Sequence, residues 1–328
     1  MQVLRSSGDK GGLIETLLST PAWLPVVSLE SVNGEQWQRM KNNFTVLQKT
    51  LPPIGELTTI FESRGRELLQ SKTVLDAFKL NELVVAGFYE WLFKREFNYG
   101  KSAVVCQSTW EWRKEIAMKG IADPVVKQRT VDWCVDEIRR TPHLYEVFGD
   151  LWEEPEYYSL ILQPFLLSPA INLTDIAVLV GEWAKATPPT QAITPEILRQ
   201  CICSFHPFPV VERFFPDGNA EFGILPNTQV LIPLDEMSGA AFAAGIDFTF
   251  GAGSRVCVGR HMAMKAMVGL FTDSFVRSEL FCPKVNHKYS GRHNDGKETL
   301  AESLYQFKFA VRVLSTAAKN RLLGFRKR

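Results

Sequence analysis

FTFGAGSRVCVGRHMA, running from Phe248 to Ala263, holds a single cysteine in a glycine-rich loop that gives way to a helix-forming segment. Gly251, Gly253 and Gly259 allow positive φ and a close approach of the backbone to something flat or bulky. Cys257 falls just before or within the first turn of the next helix, where unpaired N–H groups and the helix dipole favour a thiolate. Arg255 is a permanent cation able to grip a carboxylate bidentately, and Phe250 supplies an apolar wall.

Together these features describe a haem bound through cysteine sulfur, with Arg255 on a propionate. Phe250-Gly251-x-Gly253-x-Arg255-x-Cys257-x-Gly259, followed by Ala263, resembles the haem-binding loop of the cytochrome P450 family. Taken singly, the same residues have plainer meanings. A free cysteine can pack inertly in a core, Gly-x-Gly can be an ordinary turn, and Cys257 with His261 could be a nucleophile and its base, although no third orienting group is in view.

Other parts of the chain agree with the resemblance, in the right order. Glu196-Ile197-Leu198-Arg199 is similar to the family's ExxR helix; residues i and i+3 share a helix face, so Glu196 and Arg199 can pair and lock to a third group. This implies a structural role for both. HPFPVVERFFPDG and FGILPNTQVLIPLDEM resemble the short strands after that helix, and Arg213 is the candidate there for a propionate contact. NGEQWQRMKNNF is similar to the family's C-helix, which makes Trp37 and Lys41 further propionate residues. The resemblance runs from about Asn33 to the last residue of the sequence.

The chain also departs from the family. The C-helix match starts at residue 33, so most of the N-terminal helix and first sheet strands are expected to be absent or replaced, and a membrane anchor with them. Only Ser238 to Ile246 separate IPLDEM from the cysteine loop, which shortens the meander that usually supports ExxR. The helix over the haem carries Ser168-Pro169-Ala170-Ile171-Asn172 where oxygen-activating members relay protons with an acid and a threonine. A shifted register would instead bring Thr174 and Asp175 over the iron. Asn172 has a further meaning, since some relatives rearrange peroxides without dioxygen and use an asparagine near the iron; as a packing or capping residue it would have no such part.

Composition sets the frame. The 328 residues are 45% hydrophobic, with 37 basic and 36 acidic side chains and a net charge of +1. That excludes a polyanion-binding footprint, and nucleic acid is not expected as a partner. Six cysteines make no dense disulfide framework. Cys201-x-Cys203 with His206 lacks the second pair of a zinc site. MQVLRSSGDKGG is no signal peptide, and apolar segments are interrupted by Pro164, Asn172 or Asp175 before membrane-spanning length, so a soluble, cytoplasmic protein without a transmembrane anchor is expected.

No repeat or linker divides the chain, so residues 1–328 are read as one haem-thiolate domain. Helical stripes cover QWQRMKNNFTVLQKTL, IGELTTIFESRGRELLQ, LNELVVAGFYEWLFKREF, VKQRTVDWCVDEIRR, the long YYSLILQPFLLSPAINLTDIAVLVGEWAKA and RHMAMKAMVGLFTDSFVRS. FGILPNTQVLIPL reads as two strands around a Pro-Asn turn, and ESLYQFKFAVRVL alternates like a strand. The predicted fold is mainly α with a small β portion, P450-like but lacking most of the N-terminal sheet region.

The resemblance implies haem b (iron protoporphyrin IX) with Cys257 as metal ligand. Phe250, Gly251, Gly259, Arg255, Trp37, Lys41 and Arg213 would bind the cofactor, and Asn172 and Thr174 are the candidate catalytic residues. It implies monooxygenation of a small apolar substrate, with electrons from a ferredoxin or flavin reductase. Two alternatives stay open: a reductase-independent isomerase, lyase or peroxygenase acting on a peroxide, and a non-catalytic haem-binding protein.

Overall fold

The computed structural model describes residues 23–283, apart from 31, 117–121, 205 and 207–209, together with Leu304, Phe307, Lys308 and Val311. Helix α1, Gly34–Gln48, buries Met40, Phe44 and Leu47, and α2, Gly55–Gln70, buries Leu57, Phe61 and Gly65. These are single stripes at helical spacing, so each helix faces the core on one side only. Helix α3, Ala77–Phe93, is capped by Asp76, whose side chain accepts from the Lys79 N–H, and is apolar nearly all round. It therefore runs through the centre, between α2 and the long helix described next.

Helices α4, Ala103–Ile116, α5, Pro124–Arg139, and α6, Pro142–Phe148, lead to a long rod made of α7, Pro155–Ile161, a π-turn over Leu162–Leu167, and α8, Ser168–Ala186. Pro169 has no N–H for the Phe165 carbonyl. The chain accommodates its prolines by widening, with the Ser168 N–H bonding to the Gln163 carbonyl one residue beyond the α-helical partner. The helical stripe expected here thus runs on through its prolines, but Pro164, Asn172 and Asp175 do not keep the apolar run below membrane-spanning length, contrary to the expectation from sequence. Pro155–Ala186 is long and apolar enough to cross a membrane, but 72% of its most apolar window is buried within the protein, as befits a core helix.

Helix α9, Pro195–Ser204, follows α8 after a short connection at residues 187–194. That connection is fastened by Arg277, which donates to the carbonyls of Ala184, Thr187, Pro188 and Gln191 while its Nε donates to Asp273. The planar fork of arginine suits this work, because its fixed donors can meet several carbonyls of the helix end and the connection at once.

Strands β1, Val210–Phe215, and β2, Thr228–Pro233, form an antiparallel ladder with Arg213 opposite Val230. The two strands expected within FGILPNTQVLIPL are thus one: β2 is there, but its partner is VVERFF, and Phe222 ends a 3-10 turn at Ala220–Phe222. Pro216-Asp217-Gly218 turns the chain, with Gly218 at φ +75 and no room for a Cβ, which would lie 2.6 Å from the Ile224 carbonyl oxygen. After β2, helix α10, Leu234–Ala243, occupies the place read as a shortened meander. Helices α11, Arg260–Leu270, and α12, Asp273–Val276, follow. The segment ESLYQFKFAVRVL, expected as a strand, is helical at all four of its described residues.

Ile232, Leu234, Ala241 and Phe248 make a small second core under the sheet, while the main core spans α1 to α12. Helix α11 lies tightly on α2. A Cβ on Gly269 would come 2.3 Å from the Thr58 carbonyl oxygen, and the Thr58 hydroxyl donates to the Lys265 carbonyl at 3.1 Å.

Candidate functional site

The cysteine loop is closed by its own backbone. The Gly251 N–H bonds to the Phe248 carbonyl and the Cys257 N–H to the Phe250 carbonyl, both at 2.9 Å. Gly251 and Gly253 take φ of +73 and +74, the left-handed region expected from the sequence, and a Cβ on Gly251 would meet only open space. Conformation, not crowding, requires glycine there. Gly259 differs: its φ is −87, so its expected left-handed turn is not made, and its closeness to Cys257 is ordinary, a Cβ lying 3.9 Å from Sγ. Cys257 sits half-buried just ahead of α11, and Phe250 packs on the main core.

Arg255, Trp37 and Lys41 come together from opposite ends of the sequence. The Arg255 guanidinium lies 4.2 Å from the centre of the Trp37 ring, and the Lys41 ammonium 4.6 Å from the same ring. One turn of α1 separates Trp37 from Lys41, which explains their shared face. Arg255 also donates to the Val32 carbonyl and the Asn33 Oδ1, both at 2.8 Å. Two cations beside one aromatic ring favour an anion at this edge of the loop.

Glu196 and Arg199 form an ion pair on α9, and the Arg199 Nε reaches Asp247 at 3.5 Å. Asp247 in turn accepts from the Thr249 N–H at 2.8 Å, and the Thr249 hydroxyl meets the Cys203 Sγ at 3.4 Å. The third group for the Glu-Arg pair is therefore Asp247, at the root of the cysteine loop. Glu196 has 64% of its side chain exposed, so the pair itself is a surface one. Burial pushes the Cys203 thiol up, which suits a packing residue more than a ligand.

Arg213 lies on β1, 2% exposed, with Nη1 on the carbonyl of Glu212 at 2.8 Å; burial lowers its pKa. On α8, Thr174 is buried and its hydroxyl donates to the Ala170 carbonyl at 2.6 Å. Asn172 is half-buried on the same helix. Asp175 takes a different direction, receiving the buried Arg113 of α4 at 2.6 Å, while Arg113 also donates to the Ile171 carbonyl. Adjacent residues point about 100° apart on a helix, so Thr174 and Asp175 do not share one face.

Asn33, Asp247 and Arg113 escaped the sequence reading. Asp247-x-Thr249 carries a signal for the second, since Asp commonly accepts the N–H two residues on. Nothing local marks the other two. Among the described residues no three His, Cys, Asp or Glu side chains gather as a metal site. A metal held by Cys257 would bring its remaining donors with it.

No protein-family model and no curated protein matches the chain. Solved structures do match. A six-coordinate cytochrome P450 from Thermus thermophilus superposes with a TM-score of 0.58 at 14% identity, over 84% of this chain and 81% of that one. A mutant of P450 EryK in complex with erythromycin B gives 0.56 at 15% identity, over 82% and 78%. A variant of cytochrome P450 OleT in complex with arachidonic acid gives 0.55 at 11% identity, over 83% and 76%. This mainly helical chain with its small two-stranded sheet has a cytochrome P450-like fold.

Proposed function

We propose that the protein is a haem-thiolate oxidoreductase that inserts oxygen into a small apolar substrate. The observation that carries this is the meeting of Arg255, Trp37 and Lys41 beside the loop that presents Cys257. A half-buried thiol in one loop with a glycine whose Cβ position is open, next to two cations, fits a flat macrocycle that carries its own nitrogen donors and two carboxylates. Cys257 would be the thiolate ligand, Arg255 and Lys41 would meet propionates, Trp37 would order both cations, and Gly251 would leave room for the group. Glu196, Arg199 and Asp247 would brace the loop from α9, and Arg213 would add a propionate contact from β1.

When bound, haem b supplies oxygen activation and transfer. The chain supplies the surroundings. Phe250, packed on the core beside the loop, would shield the sulfur from water and so keep the thiolate electron-rich. The Thr174 hydroxyl commits its one proton to a hydrogen bond with the Ala170 carbonyl, which leaves its oxygen lone pairs to accept a hydrogen bond. An external electron donor, a ferredoxin or flavin reductase, would complete the cycle.

A reaction on a peroxide, without reductase, is the second reading, and one observation favours it. Asp175, the acid next to Thr174, is engaged by Arg113, so the acid of a two-group relay is already committed. Turnover with peroxide but none with a reductase system would give this reading precedence.

The first test is the spectrum of haem-reconstituted protein, reduced and exposed to carbon monoxide, beside Cys257→Ala. The expected result is a red-shifted thiolate-type band in the native chain that vanishes in the variant. A band unchanged by Cys257→Ala, or no haem uptake at all, overturns the proposal.

A further inference from the structure

Asn33 stands at the N-cap of α1, with extended backbone dihedrals (φ −128, ψ 174), yet its side chain makes no cap bond to the helix's own N–H groups. N-cap asparagines usually satisfy one of those donors, at a gain of about 1 kcal/mol. Here the Oδ1 is turned outward to accept from the Arg255 Nη2 at 2.8 Å, beside the Val32 carbonyl that takes Nη1 at 2.8 Å. Both acceptors come from one turn of chain, and they hold the guanidinium 4.2 Å over Trp37.

The residue type is the telling part. For local stability alone aspartate would serve better at this position: it caps as well as asparagine, suits the positive end of the helix, and would form an ion pair with Arg255. A neutral amide forgoes those gains. What it retains is a contact that fixes Arg255 without itself cancelling charge, next to Lys41.

We infer that Asn33 is a positioning residue for the cofactor's carboxylate: it orients Arg255 through an uncharged acceptor, and so does not compete with an anionic group brought by the ligand. This rests on the haem-thiolate reading. It assigns a role to Asn33 that the cysteine-loop motif does not contain.

The test compares the full chain with Asn33→Asp and Asn33→Ser, each reconstituted with haem. Three properties are measured: melting temperature of the apoprotein, rate of haem loss to excess apomyoglobin, and reduction potential of the iron. For Asn33→Asp the melting temperature should hold or rise, while haem loss quickens about tenfold, the size of one weakened charge-assisted hydrogen bond, and the potential moves to more negative values. For Asn33→Ser, a neutral and equally good cap too short to reach Arg255, haem loss should quicken without the fall in potential.

If Asn33→Asp melts higher and leaves haem loss and potential unchanged, Asn33 is only a latch between α1 and the loop, and the inference fails while the haem-thiolate reading stands. Should Asn33→Asp not fold, unchanged haem loss in Asn33→Ser overturns the inference alone. A native chain that takes up no haem overturns both.

Discussion

Cysteines show how differently one residue type can be set. Cys106 and Cys201 are pushed up by burial from 9.0 to about 12 and about 11, Cys134 is raised further and Cys203 is raised as well, again chiefly by burial. Cys282 is exposed and Cys257 half-buried. A thiol reagent at neutral pH should therefore modify Cys282 and Cys257 in the apoprotein and leave the other four untouched until the chain is denatured. Reconstitution with haem should remove Cys257 from the reactive set, which mass spectrometry of labelled peptides would show. Labelling of Cys257 at the same rate with haem bound would contradict its place as ligand. At this scale the sequence was informative wherever residue types had a fixed spacing: Gly251, Gly253, Arg255 and Cys257 are one motif, and Trp37 and Lys41 are one helical turn. Asn33 was illegible because its partner Arg255 is 222 residues away and no periodicity connects them.

Helices were legible for a related reason, since a stripe such as Met40, Phe44 and Leu47 is written along the chain at the period of the element itself. Strands were not, because β1 and β2 are short and each owes its state to the other. FGIL looked like a strand by its apolar residues, but Gly223 and Gly218 turn it back on itself. The contact of α11 with α2 makes a test of element packing. Alanine at position 269 would gain about 1 kcal/mol of helix propensity over glycine, but a Cβ 2.3 Å from the Thr58 carbonyl oxygen must push the helices apart. Overpacking costs roughly 1–3 kcal/mol, and a backbone oxygen cannot rotate away, so the clash should win. Gly269→Ala is expected to lower the urea midpoint, and a raised midpoint would show that α11 can slide on α2 freely.

Across the molecule as a whole, several buried acids among the described residues are held in their protonated forms by burial. Besides Cys106 and Cys201, Tyr89 and Tyr158 are raised from 10.0 to about 12, with burial the largest cause. Each is an acid whose pKa is higher folded than unfolded. Its stabilising contribution is therefore complete below the unfolded values of 9.0 and 10.0 and is lost as pH climbs towards 11 and 12. Melting temperature should be level from pH 7 to about 8.5 and fall steadily above about pH 9; a level profile to pH 11 would mean that these side chains are more open to water than their packing indicates.

The tie between Arg255 and the start of α1 also bears on how the protein comes to exist. Closing a loop of 222 residues is slow and entropically costly, and chains emerge from the ribosome at only about 5–20 residues per second. Residues 32–41 wait through most of synthesis for their partner to appear. The contact of Arg255 with Val32 and Asn33 thus forms late in synthesis, on helices made long before it, and a cofactor held at this edge would be captured by a largely formed fold and would not serve as the template around which that fold grows.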